Sequence, residues 1–219
     1  MCSPSSSRTL LLLFVSICAL AEDQSSSAVI SYTQDFPGSN PGHYEITVNR
    51  AGQGVYRSNG QLDQQSEPIN AEALKFSLSD NVRERIFSLA KQAHYFAGKV
   101  DSGRTNIANT GAKTLAYKDT QRSTTATYNF SQAAPVQELT SVFQALSTTL
   151  EFGRRLSYFH KYEKLAIEED LRRMEELQRD NQLGDVQAIS AVLNDIANDQ
   201  SVINVSRARA LRLLTKAGK

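Results

Sequence analysis

The sequence predicts an α+β fold: an antiparallel sheet with two helices on one face, followed by an all-helical C-terminal extension. Two observations carry this. Between residues 29 and 150, runs of period-two alternation come as hairpins, and an amphipathic helical stretch follows each one. Beyond residue 150 the strand signals stop, and across residues 151–180 Gly153 is the only helix breaker.

The first strand is Val29-Ile30-Ser31-Tyr32-Thr33, and Pro37-Gly38-Ser39-Asn40-Pro41-Gly42 after it is dense turn chemistry. Tyr44, Ile46 and Val48 alternate with Glu45, Thr47 and Asn49, the pattern of a half-buried strand. Asn49 to Gly54 makes the turn, and Val55-Tyr56-Arg57-Ser58 returns. Residues 59–73 are polar and read as a long hairpin tip before a short strand at Leu74-Lys75-Phe76. Ser79 is placed as a helix N-cap, with Asp80 favourable for the dipole. Val82, Ile86, Leu89, Ala90 and Ala93 share one helix face, which ends near Tyr95-Phe96, just before Gly98. A second hairpin pairs Thr114-Leu115-Ala116-Tyr117 with the run from Thr124 to Phe130. Pro135 suits the first turn of the next helix, which carries the stripe Val136, Leu139, Val142, Phe143, Leu146 and Leu150.

Five segments in this order also carry a resemblance: Gly42-His43-Tyr44-Glu45-Ile46-Thr47-Val48, Gly52-Gln53-Gly54-Val55-Tyr56, residues 87–96, Gly111-Ala112-Lys113-Thr114-Leu115-Ala116-Tyr117 and Pro135-Val136-Gln137-Glu138-Leu139. Over roughly residues 32–150 the chain resembles a small bacterial exported domain of unknown function. That family opens with a glycine-punctuated hairpin, then a helix, a second hairpin and a second helix. The resemblance implies a fold and an exported bacterial setting, with no activity. This chain lacks the Cys-rich opening of some members, so no function tied to that opening carries over.

In the last third, Leu156, Phe159, Ile167, Leu171, Met174 and Leu177 keep helical spacing and predict one long helix over 151–180. Glu168 with Arg172, Glu169 with Arg173 and Glu175 with Arg179 set acid before base at four-residue spacing, so local pairs are expected along it. Residues 181–185 break that helix. Val186, Ile189, Val192, Leu193 and Ile196 make a second, and the run from Val205 to Leu214 a third. Leu193-Asn194-Asp195-Ile196-Ala197-Asn198-Asp199 followed by Arg207-Ala208-Arg209-Ala210-Leu211 resembles one HEAT-type helical pair, too few units for a solenoid. The expected plan is an α+β domain over 29–155, able to fold alone, and a helical extension over 156–219.

The N-terminus reads as an export signal. Arg8 precedes the apolar run Leu10-Leu11-Leu12-Leu13-Phe14-Val15, and Ala19-Leu20-Ala21 fits a signal-peptidase site. Cleavage is expected after Ala21, giving a signal peptide over 1–21, a disordered leader over 22–28 and a periplasmic or extracellular protein. The apolar run is about a dozen residues, short of the ~20 that span a bilayer, so no transmembrane anchor is expected in the mature chain. Ile17 before Cys18 disfavours lipidation. The two cysteines are Cys2 and Cys18, so the mature chain has no thiol nucleophile, thiolate metal site or disulfide.

Charge and motifs argue mostly by exclusion. The chain has 24 Lys and Arg against 23 Asp and Glu, and losing Arg8 makes it formally neutral, so no protein-wide field draws it to nucleic acid. Three histidines do not complete a metal site: His160 and Glu163 are three apart on a helix without a second pair, and His94 sits at a helix end. Gly52-Gln53-Gly54 and Gly111-Ala112-Lys113-Thr114 lack the helix that a phosphate-binding loop opens. No Gly-x-Ser-x-Gly elbow occurs. Arg209, Arg212 and Lys216 share one face of the last helix and are the candidate partner-binding residues, against a reading in which they only complement the helix dipole. The sequence therefore points to an exported, non-catalytic binding or envelope-associated module without a cofactor. Two alternatives stay open: a hydrolase-type enzyme with a site assembled from distant residues, and a structural oligomer built through the C-terminal helices.

Overall fold

The computed structural model describes residues 28–61 and 73–217. The signal peptide expected over 1–21 with its cleavage site, most of the leader expected over 22–28 and most of the hairpin tip expected at 59–73 lie outside the described residues. Ala28, which the sequence places in the leader, is buried, and its carbonyl accepts the Arg50 N–H at 2.9 Å.

Six strands form one antiparallel sheet: β1 (Val29–Asp35), β2 (His43–Asn49), β3 (Gln53–Ser58), β4 (Leu74–Ser77), β5 (Ala112–Lys118) and β6 (Ser123–Tyr128). Their order across the sheet is β4-β3-β2-β1-β5-β6, so β1 sits between the two hairpins. Alternation decides the faces. Ile30, Tyr32, Tyr44, Ile46, Val48 and Leu115 are buried on one side. The other side carries hydroxyl ladders, with Ser31 3.2 Å from Thr47 and Thr114 3.0 Å from Thr127.

Helices α1 (Asp80–Gln92) and α2 (Ala134–Tyr162) cover the apolar face. The α2 stripe does so as its spacing requires: Val136, Leu139, Phe143, Leu146 and Leu150 are all buried, and the Phe143 ring stacks on Tyr32 at 5.1 Å with 1° between planes. Ser79 occupies the α1 N-cap without a side-chain bond to the helix; its own N–H donates to Asp185 Oδ2 at 2.6 Å.

Three helices follow: α3 (Ile167–Arg179), α4 (Ser190–Asn198) and α5 (Asn204–Ala217). The long helix expected over 151–180 is instead two, because Glu163 leaves helical geometry (φ −142°, ψ 61°) and α3 folds back. Folding back buries Ile167, Leu171 and Met174, which one continuous rod would leave in water. The expected domain boundary between 155 and 156 falls inside α2, which runs unbroken for 29 residues. Arg155 itself donates to both oxygens of Asp170 on α3, at 2.9 and 3.1 Å. Ile189, Leu193 and Ile196 join the same core as the sheet and α2. Among the described residues, no helix is long and apolar enough to cross a membrane.

Candidate functional site: a cationic, aromatic-lined cleft

The start of β1 gathers a cleft because of register. Val29 pairs with Asn49 on one side and Lys118 on the other. That brings the turn after β2, with Arg50, and the hairpin loop after β5, residues 119–122, to either side of Ala28. The second half of α1 supplies Phe87, Ser88 and Lys91 above them. The resulting cavity is about 510 Å³, within the size range of small-molecule sites.

The segment after α1 aims the fourth wall. The helix stops at Gln92, three residues before the expected end, and His94, Tyr95 and Phe96 turn left-handed with φ of 49°, 55° and 65°. Bulky residues rarely adopt this region, at a cost of roughly 1–2 kcal/mol each. Packing holds the turn: Phe96 is buried, the Tyr95 ring lies 4.5 Å from Tyr117, and Thr124 Oγ1 donates to the Tyr95 carbonyl. Backbone held this way is characteristic of functional sites.

Charge in the cleft is unequally committed. Asp119 is fully engaged: Oδ1 accepts the N–H groups of Gln121 (2.7 Å) and Arg122 (2.6 Å), and Oδ2 accepts Tyr117 Oη (3.0 Å) and Arg122 Nη1 (3.2 Å). Those bonds, the Gln121 N–H foremost, hold its carboxyl below the usual range. Burial, then the bond to Asp119, pushes the Tyr117 hydroxyl up to about 12, so it stays protonated and donating. Glu84 faces Arg83 at 3.4 Å. Arg122 lies over the Tyr95 ring at 4.8 Å and Arg50 over Phe87 at 4.7 Å. With both acids of the cleft already paired, Arg50 and Lys91 keep exposed cationic heads that meet no carboxylate among the described residues.

The residues singled out from sequence lie elsewhere. Arg209 donates to Glu168 Oε1 at 2.8 Å and to Glu175 Oε2, and Arg212 donates to Glu175 Oε1 at 2.8 Å. Two of the three candidate partner-binding residues are thus spent tying α5 to α3, and Lys216 alone stays exposed without such a tie. The expected pairs Glu168–Arg172, Glu169–Arg173 and Glu175–Arg179 do not form among the described residues: Glu168 and Glu175 bridge to α5 instead, and within α3 the pair formed is Arg172–Glu176 at 3.0 Å. Burial alone raises the Glu175 carboxyl, but Arg212 and Arg209 outweigh it and leave it below the usual range. His160 is tied to a residue outside its own helix: its Nε2 is 2.9 Å from Asp199 Oδ2.

Three further polar clusters were not foreseen, and all are ties between elements. Asp199 receives Lys164 Nζ at 2.6 Å and Ser201 Oγ at 2.6 Å besides His160, and Lys164 Nζ also donates to Ser201 Oγ. Glu151, buried on α2, accepts Tyr56 Oη at 2.7 Å, Ser58 Oγ, and Arg154 Nε and Nη2 at 3.0 and 2.8 Å. Lys113 points into the core, and its ammonium donates to oxygens of Thr110, Gly111 and Asn129 at 2.8 to 3.2 Å. Among the described residues, no three His, Cys, Asp or Glu side chains gather at metal-ligating spacing. No protein-family model matches this sequence, and no curated protein matches it either.

Proposed function

We propose that this chain is an exported, non-catalytic binding module of a bacterial envelope, and that the cleft between Arg50, Lys91 and Tyr95 receives its ligand. One observation carries the reading: Arg50, stacked over Phe87, and Lys91 present exposed cations in a cleft walled by aromatic rings, and neither meets a carboxylate among the described residues. The other charged clusters spend their groups on each other. Export rests on the 1–21 segment and the bacterial setting on the resemblance over residues 32–150.

A protein partner or second copy at the C-terminal helices has less surface than their sequence suggests. Ile189 and Ile196 are covered by the chain's own core, and the large apolar side chains that α5 leaves exposed are Val205 and Leu211, with Arg212 and Lys216 also outward.

Titrating isotope-labelled protein with small organic anions tests the cleft. The expected result is amide shifts confined to the surroundings of Arg50, Lys91 and residues 119–122, with every anion recovered unchanged. Shifts confined to another surface would remove the cleft from the reading, and consumption of an anion would make the protein an enzyme.

A further inference from the structure

The apolar part of the cleft wall is almost wholly aromatic. Phe87, Tyr95 and Tyr117 line it, and Ala28 is the one aliphatic side chain among its lining residues. Phe87 and Tyr117 are largely buried, and Arg50 and Arg122 lie over the Phe87 and Tyr95 rings, so what the wall offers is ring edges and stacked guanidinium planes; a planar ring meets these at favourable geometry, and an aliphatic ligand gains little that is specific from them. The polar part is asymmetric. Arg122 is keyed to Asp119 and Tyr95, so its guanidinium is already oriented and largely neutralised. Arg50, held over Phe87, and Lys91 meet no carboxylate among the described residues, and they supply the two exposed cationic heads of the cleft. The cavity, at about 510 Å³, holds a small molecule rather than a length of polymer.

Resting on the binding role argued above, we infer that the ligand is a small ring-bearing organic anion: its carboxylate or phosphate sits between Arg50 and Lys91, and its planar ring lies against Tyr95 and Tyr117. A guanidinium and an ammonium lining one cleft recognise either acid group, the first through its planar fork and the second as a point charge. The left-handed turn at His94–Phe96 sets the position of the Tyr95 ring, so selectivity for a ring depends on that turn.

Calorimetric titration of the whole protein separates the parts of this claim. The probes are benzoate and phenyl phosphate, the ringless anions hexanoate and inorganic phosphate, and the neutral ring benzyl alcohol. Benzoate or phenyl phosphate should bind about tenfold more tightly than its ringless counterpart, and benzyl alcohol should be weaker than both; whichever acid is preferred names the headgroup. Arg50→Gln should weaken all four anions by roughly tenfold. Tyr95→Asn keeps a residue tolerant of the left-handed region and should erase the benzoate-over-hexanoate preference while leaving hexanoate unchanged. Equal affinity for benzoate and hexanoate in the parent protein overturns the ring inference and leaves the anion cleft standing. Benzyl alcohol binding as tightly as benzoate, or no probe binding at all, overturns both.

Discussion

Ile189 occupies the space that a side chain on Gly153 would need: a β-carbon built there collides with Ile189 Cγ2. Gly153 lies in the middle of α2, and Ile189 lies in the short turn before α4. The missing side chain therefore lets the extension dock directly on the helix that covers the sheet. Gly153→Ala should gain up to about 1 kcal/mol in helix propensity but lose about 1–3 kcal/mol to overpacking, for a net destabilisation in urea titration. For the same reason a chain ending at Arg155 should not unfold cooperatively, since it loses the residues that cover Leu146, Leu150 and Gly153. A sharp urea transition for that truncated chain would restore the separable domain that the sequence suggests.

Glu151 and Arg154 form an ion pair with about a tenth of each side chain exposed. The carboxylate also holds the hydroxyls of Tyr56 and Ser58 on β3, so it ties α2 to the sheet. Burial, with the Glu151 charge second, drives the Tyr56 hydroxyl far above its ordinary range, so it remains a donor at any working pH. Glu151→Gln keeps the shape and leaves the Arg154 guanidinium buried without a counter-charge. The expected cost is about 3–5 kcal/mol, read as a lower urea midpoint with unchanged slope. A midpoint like the parent's would mean that water reaches Arg154 freely.

Asp199 makes stability depend on acid. Lys164 first, then the Ser201 hydroxyl and N–H and His160, hold its carboxyl well below the usual range. A carboxyl depressed in the folded state stabilises the fold above its unfolded pKa of ~3.9, and that contribution is lost as pH falls through the folded value. Asp199→Asn should therefore lower the denaturation midpoint at pH 7, and the gap from the parent should start to narrow below about pH 5 and close at the acid end. A gap that stays constant with pH would show that the amide loses packing or geometry and not charge.

What could be read in advance is whatever depends on near neighbours in the chain. Tyr44, Ile46 and Val48 betray their strand by alternation, and Val136 to Leu150 betray α2 by spacing. The inward Lys113 was in principle visible too, since it is in phase with Leu115 and Tyr117, but a lysine in that phase reads as surface until the oxygens around it are seen. Nothing local marks the chain reversal at Glu163, which has neither Gly nor Pro beside it and is driven by burial of Ile167 and Leu171. The cleft was hidden for the same reason. Arg50 lies in the turn after β2 and Lys91 in the last turn of α1; they line one cleft because Val29 lies between Asn49 and Lys118 in the sheet. The basic face of α5 misled because charge patterning along one helix cannot show that Glu168 and Glu175 reach across to Arg209 and Arg212.

The left-handed turn before Gly98 gives the sharpest test of how the cleft is held. His94, Tyr95 and Phe96 all have positive φ, but their side chains do different work: His94 is exposed, Tyr95 lines the cleft and Phe96 is buried at 1 % exposure. Packing of Phe96 and Tyr95 then forces His94 into a conformation from which its own side chain gains little. His94→Gly relieves roughly 1–2 kcal/mol of backbone strain and adds about 0.5–1 kcal/mol of entropy loss on folding, so the variant should be more stable by up to about 1.5 kcal/mol. Phe96→Gly relieves the same strain but empties a core position, at a cost of about 3–5 kcal/mol, and should lower the melting midpoint sharply. Opposite signs at positions two residues apart would show that the turn is imposed by the core beneath it. If His94→Gly were destabilising instead, the strain at this turn would not be what the geometry implies, and the Tyr95 ring would owe its position to its contacts with Tyr117 and Arg122 alone.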